Sequence, residues 1–233
     1  MLHILTPQLF LKIEKIVTPI LLLLFPITLG FGLYYAIFSS PPDYQQGEMV
    51  RVMYVHVPAA WMSLGIYSFI SICSFSVLIW KTRIAYIMAV AAAPIGATFS
   101  LITLVTGSLW GKPIWGTWWV WDARLTSMLI LFLQYISYIM IINSNSNLSR
   151  AEKPASVMAL IGFINIPIVK FSVDIWYSLH QPASVFKSGG PSIHASMMLP
   201  LMIMFLSFIF YFLILLLIRT KTILNNHKNK RLT

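Results

Sequence analysis

The chain has 233 residues, of which 58% are hydrophobic and 9% charged. Soluble globular domains carry about a quarter charged residues, so an ordinary water-soluble enzyme is excluded. The apolar residues fall in runs near the roughly 20 that a helix needs to cross a bilayer, which indicates an integral membrane protein.

Taken in chain order, the apolar runs between charge and turn clusters predict six spans. They are Thr18–Phe38, Pro58–Trp80, Ile84–Val105, Leu125–Ile142, Ala155–Val173 and Ala195–Ile218. Each is expected to be helical, because hydrocarbon leaves only helices and closed barrels able to satisfy their own backbone groups. The alternating ten-residue strands of a barrel are absent. The first run is too long and too weakly followed by a cleavage site for a removable signal peptide. Ala89, Ala92, Ala93, Gly96 and Ala97 in the third span suit close helix packing. The fold class expected is therefore all-α, a single six-helix membrane domain over residues 1–233.

The net charge is +10, from 16 Lys+Arg against 6 Asp+Glu. Six spans put both termini on one side, and the segments on that side hold 11 of the 16 cations: Lys12, Lys15, Lys81, Arg83, Arg150, Lys153, Arg219, Lys221, Lys228, Lys230 and Arg231. Arg51, Lys112, Arg124 and Lys187 lie opposite, with Lys170 near the outer end of the fifth span, where it snorkels. The bias puts the termini on the cytoplasmic or matrix side, so the charge reflects topology and lipid contact rather than a nucleic-acid partner. The tail from Arg219 to Thr233 reads as a solvated basic anchor. The lone Cys73 excludes an internal disulfide and a thiolate metal site.

Inner connections are short, whereas Ser39–Val57, Thr106–Arg124 and Asp174–His194 are long, so function is expected on the outer face. Residues 106–126 form a tryptophan-rich outer segment in which five of the eight tryptophans (Trp110, Trp115, Trp118, Trp119, Trp121) fall within twelve residues. An interfacial aromatic belt accounts for one or two tryptophans at a boundary, but a belt populates both interfaces. Here the inner one has only Trp80. Clustering broken by Gly111, Pro113 and Gly116 points instead to a shaped apolar platform for a large flat ligand. Asp122 can cap the following helix and pair with Arg124; alternatively Arg124 and Lys112 hold an anionic group of the ligand.

Of five histidines, His3 and His227 lie in polar ends, while His56, His180 and His194 map to the outer margin. One interfacial histidine is ordinarily an anchor. Two on loops flanking a tryptophan platform suit haem, which is flat, apolar and anionic at its propionates, and whose iron takes neutral imidazole. Zinc fits less well, because no carboxylate or cysteine joins the histidines at ligand spacing.

The run Trp115-Gly116-Thr117-Trp118-Trp119-Val120-Trp121-Asp122-Ala123-Arg124-Leu125-Thr126 resembles the tryptophan-rich signature of haem-handling membrane proteins. Tyr54-Val55-His56-Val57-Pro58 and Leu179-His180-Gln181-Pro182 resemble its flanking histidine motifs. Together with length and span count, they make the chain similar to the cytochrome c maturation protein C family, also called haem exporter protein C. The larger haem lyases continue the signature as Trp-Asp-Pro-Val-Glu-Asn, where this chain has Asp122-Ala123-Arg124-Leu125.

The resemblance implies a non-enzymatic protein of a bacterial or mitochondrial inner membrane that binds haem b on its outer face. It implies His56 and His180 as axial iron ligands, and a binding segment of Trp115, Trp118, Trp119, Trp121, Asp122 and Arg124. It further implies delivery to the membrane-anchored haem chaperone, protein E, in company with the small membrane protein D and an ABC transporter of proteins A and B. His194 stands outside the two motifs. The rival readings are a permease, which ordinarily needs mid-membrane ionisable groups that these spans lack, and a free-standing lyase, which needs a substrate domain.

Overall fold

The computed structural model describes residues 6–144, 148–181, 184–185 and 189–229, with backbone alone for 227–229. His3, Pro182, Lys187, Lys230 and Arg231 lie outside the described residues. The described residues form seven helices that make six membrane-length spans, with no strand among them.

Helix α1 (Pro7–Tyr34) starts earlier than the apolar run, because Thr6 accepts the Leu9 amide at 3.2 Å and Pro7 occupies the first turn. It leaves the membrane through a π-helical turn, Tyr35–Ser39. The connection between the first two spans then folds tightly. Asp43 Oδ1 accepts the amides of Gln45 and Gln46, and a 3₁₀ turn at Glu48–Val52 leads directly into α2 (Met53–Trp80). Arg51 Nη1 donates to the Ala36 carbonyl at 2.6 Å and ties this connection to the end of α1. Consequently α2 begins five residues before the expected span, and His56 stands in its first turn rather than on a loop.

Helix α2 ends on Lys81, whose left-handed backbone (φ 56°) makes the tight hairpin into α3 (Arg83–Trp115). Here the expectation of a loop from Thr106 fails. The helix continues ten residues past Val105, carrying Trp110 and Trp115 with it. Pro113 is tolerated near its end, and the stop comes at Gly116 (φ 75°), whose amide reaches the Lys112 carbonyl at 3.0 Å. Helix α4 (Ala123–Asn143) is capped by Asp122.

The fifth span is broken into α5 (Leu148–Phe163) and α6 (Asn165–Ile175). Pro167 has no N–H to offer the Phe163 carbonyl, so the ladder lapses there. Asn165 Nδ2 fastens the break to α4 by donating to the Ser127 carbonyl at 2.9 Å. Helix α7 (Ala195–Asn229) runs past Ile218 into the tail expected to be a solvated basic anchor. Lys221 there pairs at 3.0 Å with Glu14 of α1, a carboxylate that is otherwise buried.

The largest buried cluster lies among α2, α3, α4 and α5, with Phe212 and Leu216 of α7 packed into it. Ala89, Ala92 and Ala93 are fully buried, as small residues at close helix contacts should be. Tyr135 of α4 packs edge-on against Tyr67 of α2 and donates to the Ser63 carbonyl at 2.6 Å. Gly96 makes the room: a Cβ at that position would collide with the Tyr135 ring. Helix α1 stands outside this core, packed chiefly on α7 and leaving most of its apolar surface to lipid.

Candidate functional site

A cavity of about 280 Å³ opens where α2, α3, α4 and the segment after α6 meet, and His56, His180, Trp110, Trp115, Trp119 and Arg124 line it. The two histidines, 124 positions apart in sequence, face each other with ring centroids 6.1 Å apart and planes only 16° from parallel. Each is braced by one tryptophan edge from the end of α3. Trp110 meets His56 at 5.6 Å and 76°, and Trp115 meets His180 at 5.4 Å and 72°.

His56 is buried and firmly oriented. The Thr106 hydroxyl gives its proton to the Ile102 carbonyl at 2.6 Å, so its oxygen accepts the His56 Nδ1–H at 3.0 Å. This assigns the Nδ1–H tautomer and leaves the Nε2 lone pair free. Gly107 allows the close approach, since a Cβ there would lie 3.0 Å from His56 Cε1. Trp110 is fixed in turn by donating Nε1–H to Gln46 Oε1 at 2.9 Å.

His180 is held differently. It lies on irregular chain after α6, and its backbone N–H donates to Ser178 Oγ at 3.0 Å. Ser178 in turn donates to Asp122 Oδ2, while Asp122 Oδ1 accepts the Leu125 amide at 2.8 Å. Burial, reinforced by the Arg124 guanidinium and opposed by Asp122, lowers the His180 pKa to about 4, so its imidazole is neutral at pH 7.

Arg124 lines the cavity but does not pair with Asp122. Its Nε donates to Ser172 Oγ at 3.2 Å and its Nη2 to the Lys170 carbonyl at 3.3 Å, both on α6. Trp119 contributes a buried Nε1–H without a hydrogen-bond partner. Trp118 and Trp121, expected in the platform, are 55% and 76% exposed and do not line the cavity. Lys112 also stands outside it, donating to the Gly116 carbonyl at 2.9 Å and lying 5.7 Å over the Trp118 ring. His194 is exposed and caps α7: its Nδ1 accepts the Ser196 amide at 3.3 Å, which leaves the proton on Nε2.

Haem fits this donor set on three observations. A metal bonded at about 2 Å to one nitrogen of each ring puts the ring centres about 6 Å apart at any angle between their planes, and the His56 and His180 centres are 6.1 Å apart. The remaining wall is mostly aromatic and aliphatic. The orphaned Trp119 N–H and the Arg124 guanidinium offer donors for an anionic edge. Among the described residues, no three of His, Cys, Asp and Glu come together as a metal-binding group.

The family model for Heme exporter protein C matches residues 1–233. The chain belongs to that family. Heme exporter protein C of Bradyrhizobium diazoefficiens is 47% identical over 209 residues, covering 90% of this chain and 79% of its own. The protein of the same name from Haemophilus influenzae is 40% identical over 214 residues, covering 92% and 87%. A putative cytochrome c biosynthesis mitochondrial protein of Marchantia polymorpha is 47% identical over 195 residues, covering 84% and 82%. With its six spans, this member of the Heme exporter protein C family is a multi-pass membrane protein that handles haem in cytochrome c maturation, and not an enzyme.

Sequence reading missed Thr106, Gln46 and Ser178, and it counted Trp110 in the tryptophan segment without giving it a contact. Thr106 and the contact of Trp110 were hidden by the turn chemistry of Gly111 and Pro113, which masked the helical register of α3. Extending that helix puts Thr106 and Trp110 four residues apart on one face, a signal the sequence did contain.

Proposed function

We propose that this chain binds haem b as cargo at the outer face of the membrane, between His56 and His180, and delivers it to the haem chaperone, protein E. The small protein D and an ABC transporter of proteins A and B complete the machinery, and both termini lie on the cytoplasmic or matrix side. Residues 106–126 are the outer binding segment of a single membrane domain. The observation that carries this reading is the histidine pair, with ring centres 6.1 Å apart in an aromatic cavity.

When bound, haem would supply an iron that imidazole nitrogen can ligate, and His56 and His180 are the residues that would hold it. The chain's own residues set the terms. Thr106 presents the Nε2 of His56, and Trp110 and Trp115 limit how far either ring can tilt. Trp119 forms apolar wall and, with Arg124, offers donors to a carboxylate. A cavity of about 280 Å³ is near the lower end for ligand sites. A macrocycle seated on the histidines therefore extends beyond it, leaving an edge within reach of a partner.

Reconstitution of the purified chain in vesicles tests the function. Haem held by the protein and passed on only when protein E is present is the expected result. Haem moved across the bilayer by this chain alone would replace delivery with the permease reading.

A further inference from the structure

We propose that Asp122 and Ser178 form a clamp whose task is to position His180, making the aspartate of the tryptophan signature a positioning residue rather than a contact to haem. The proposal builds on the reading of His180 as an iron ligand, but the clamp is observable without haem.

His180 needs such a device. It stands on irregular chain after α6, and none of its ring nitrogens makes a hydrogen bond among the described residues. What fixes its backbone is a relay of three bonds: the His180 N–H donates to Ser178 Oγ, the Ser178 hydroxyl donates to Asp122 Oδ2, and Asp122 Oδ1 accepts the Leu125 amide. The directions are forced. A serine hydroxyl has one proton, and giving it to a carboxylate leaves the oxygen free to accept an amide.

The residue choice follows. As a helix cap alone, Asn serves as well as Asp. A carboxylate, however, has two acceptor oxygens, and here each is used by a different segment. Asp122 is buried, so both bonds form away from bulk water, where a charge-assisted bond to a hydroxyl is strongest. The start of α4, reached directly from the tryptophan segment, is thereby joined to the His180 loop through one side chain. The Trp115 edge against the His180 ring makes a second joint between the same two regions.

The test uses the full chain in nanodiscs and compares wild type with S178A, S178T, D122N and H180A. Amide hydrogen exchange over 176–181 is read without haem, and the ferric spectrum is read with haem, before and after adding imidazole. The clamp requires exchange at His180 to rise about tenfold or more in S178A and to return toward wild type in S178T, which restores the hydroxyl. D122N keeps the cap but presents a donor to Ser178, so it raises exchange in the loop while α4 stays protected. With haem, S178A shows a five-coordinate fraction that added imidazole converts back to six-coordinate. Exchange unchanged over 176–181 in both S178A and D122N overturns the clamp, whatever the spectra show. If exchange rises but H180A itself keeps the wild-type spectrum, the clamp stands and the assignment of His180 as ligand falls. If S178A fails to fold, D122N alone decides between these outcomes by the same exchange readout.

Discussion

His56 and His180 present similar imidazoles to one cavity, but their supports are of opposite kinds. His56 rides on the first turn of a long buried helix, bonded through Nδ1 to Thr106 of the neighbouring helix. His180 sits on irregular chain, its ring steadied by packing and its backbone by a single hydrogen bond to Ser178. Moving His56 requires displacing α2 against α3, the largest helix interface in the bundle. Moving His180 requires only a loop to shift, and loops occupy the low end of local stability. On the proposed reading, a site that holds haem and then surrenders it gains from this inequality: His56 would define the place, and His180 would yield.

The contrast is broken or sharpened most strongly by removing each histidine in turn. H56A should weaken haem binding by roughly 100-fold or more, whereas H180A should retain haem with a loss of about 10-fold, recoverable with imidazole. Haem titration followed by absorbance reads both. Equal losses would mean the two supports are equivalent in function.

Thr106→Val probes the rigid side. It keeps the shape of the side chain and removes the acceptor for the His56 Nδ1–H. Outer partners of metal-bound histidines are worth 10–100-fold in affinity, and because the ring stays buried against Trp110 the expected loss is about 10-fold, measured by the same titration.

The yielding side has a pH signature. The pKa of His180 falls from 6.5 to about 4 in the folded protein, with burial the leading cause. Between those values the unfolded chain holds a proton that the folded chain does not, so stability falls as pH drops from 6.5 towards 4 and levels off below. Wild-type protein without haem should therefore lose melting temperature over that window, and H180Q should lose less. Parallel melting curves for the two proteins would remove this explanation.

The smallest effect concerns the outer tryptophans. W118A and W121A should change haem affinity by less than about 2-fold, because both side chains are exposed outside the cavity. A loss comparable to that of W110A would return them to the site.

The six spans were legible because hydrophobic runs of membrane length admit few alternatives, and Asp122 was legible as a cap from its place before an apolar run. The ends were harder. Glycine and proline at 111 and 113 look like a loop in any single window, yet buried Gly111 accommodates the ring of Trp115 folded back over the helix, and α3 keeps its register. The same misreading exchanged Trp110 for Trp118 and Trp121 as cavity residues. The break at Ile164 follows from Pro167, but the apolar run gives no sign of it, since hydropathy does not register a missing N–H. Ser178 could not be found locally at all: its role depends on a partner 56 positions away.

The claim on which everything else rests is that haem is held between His56 and His180. The most direct measurement is the ferric absorption and electron paramagnetic resonance spectrum of the haem-loaded wild-type chain beside H56A, H180A and the double variant. A six-coordinate low-spin spectrum in wild type, lost in each single variant and with haem no longer retained in the double variant, is the expected result. A low-spin spectrum that persists unchanged in the double variant would contradict it.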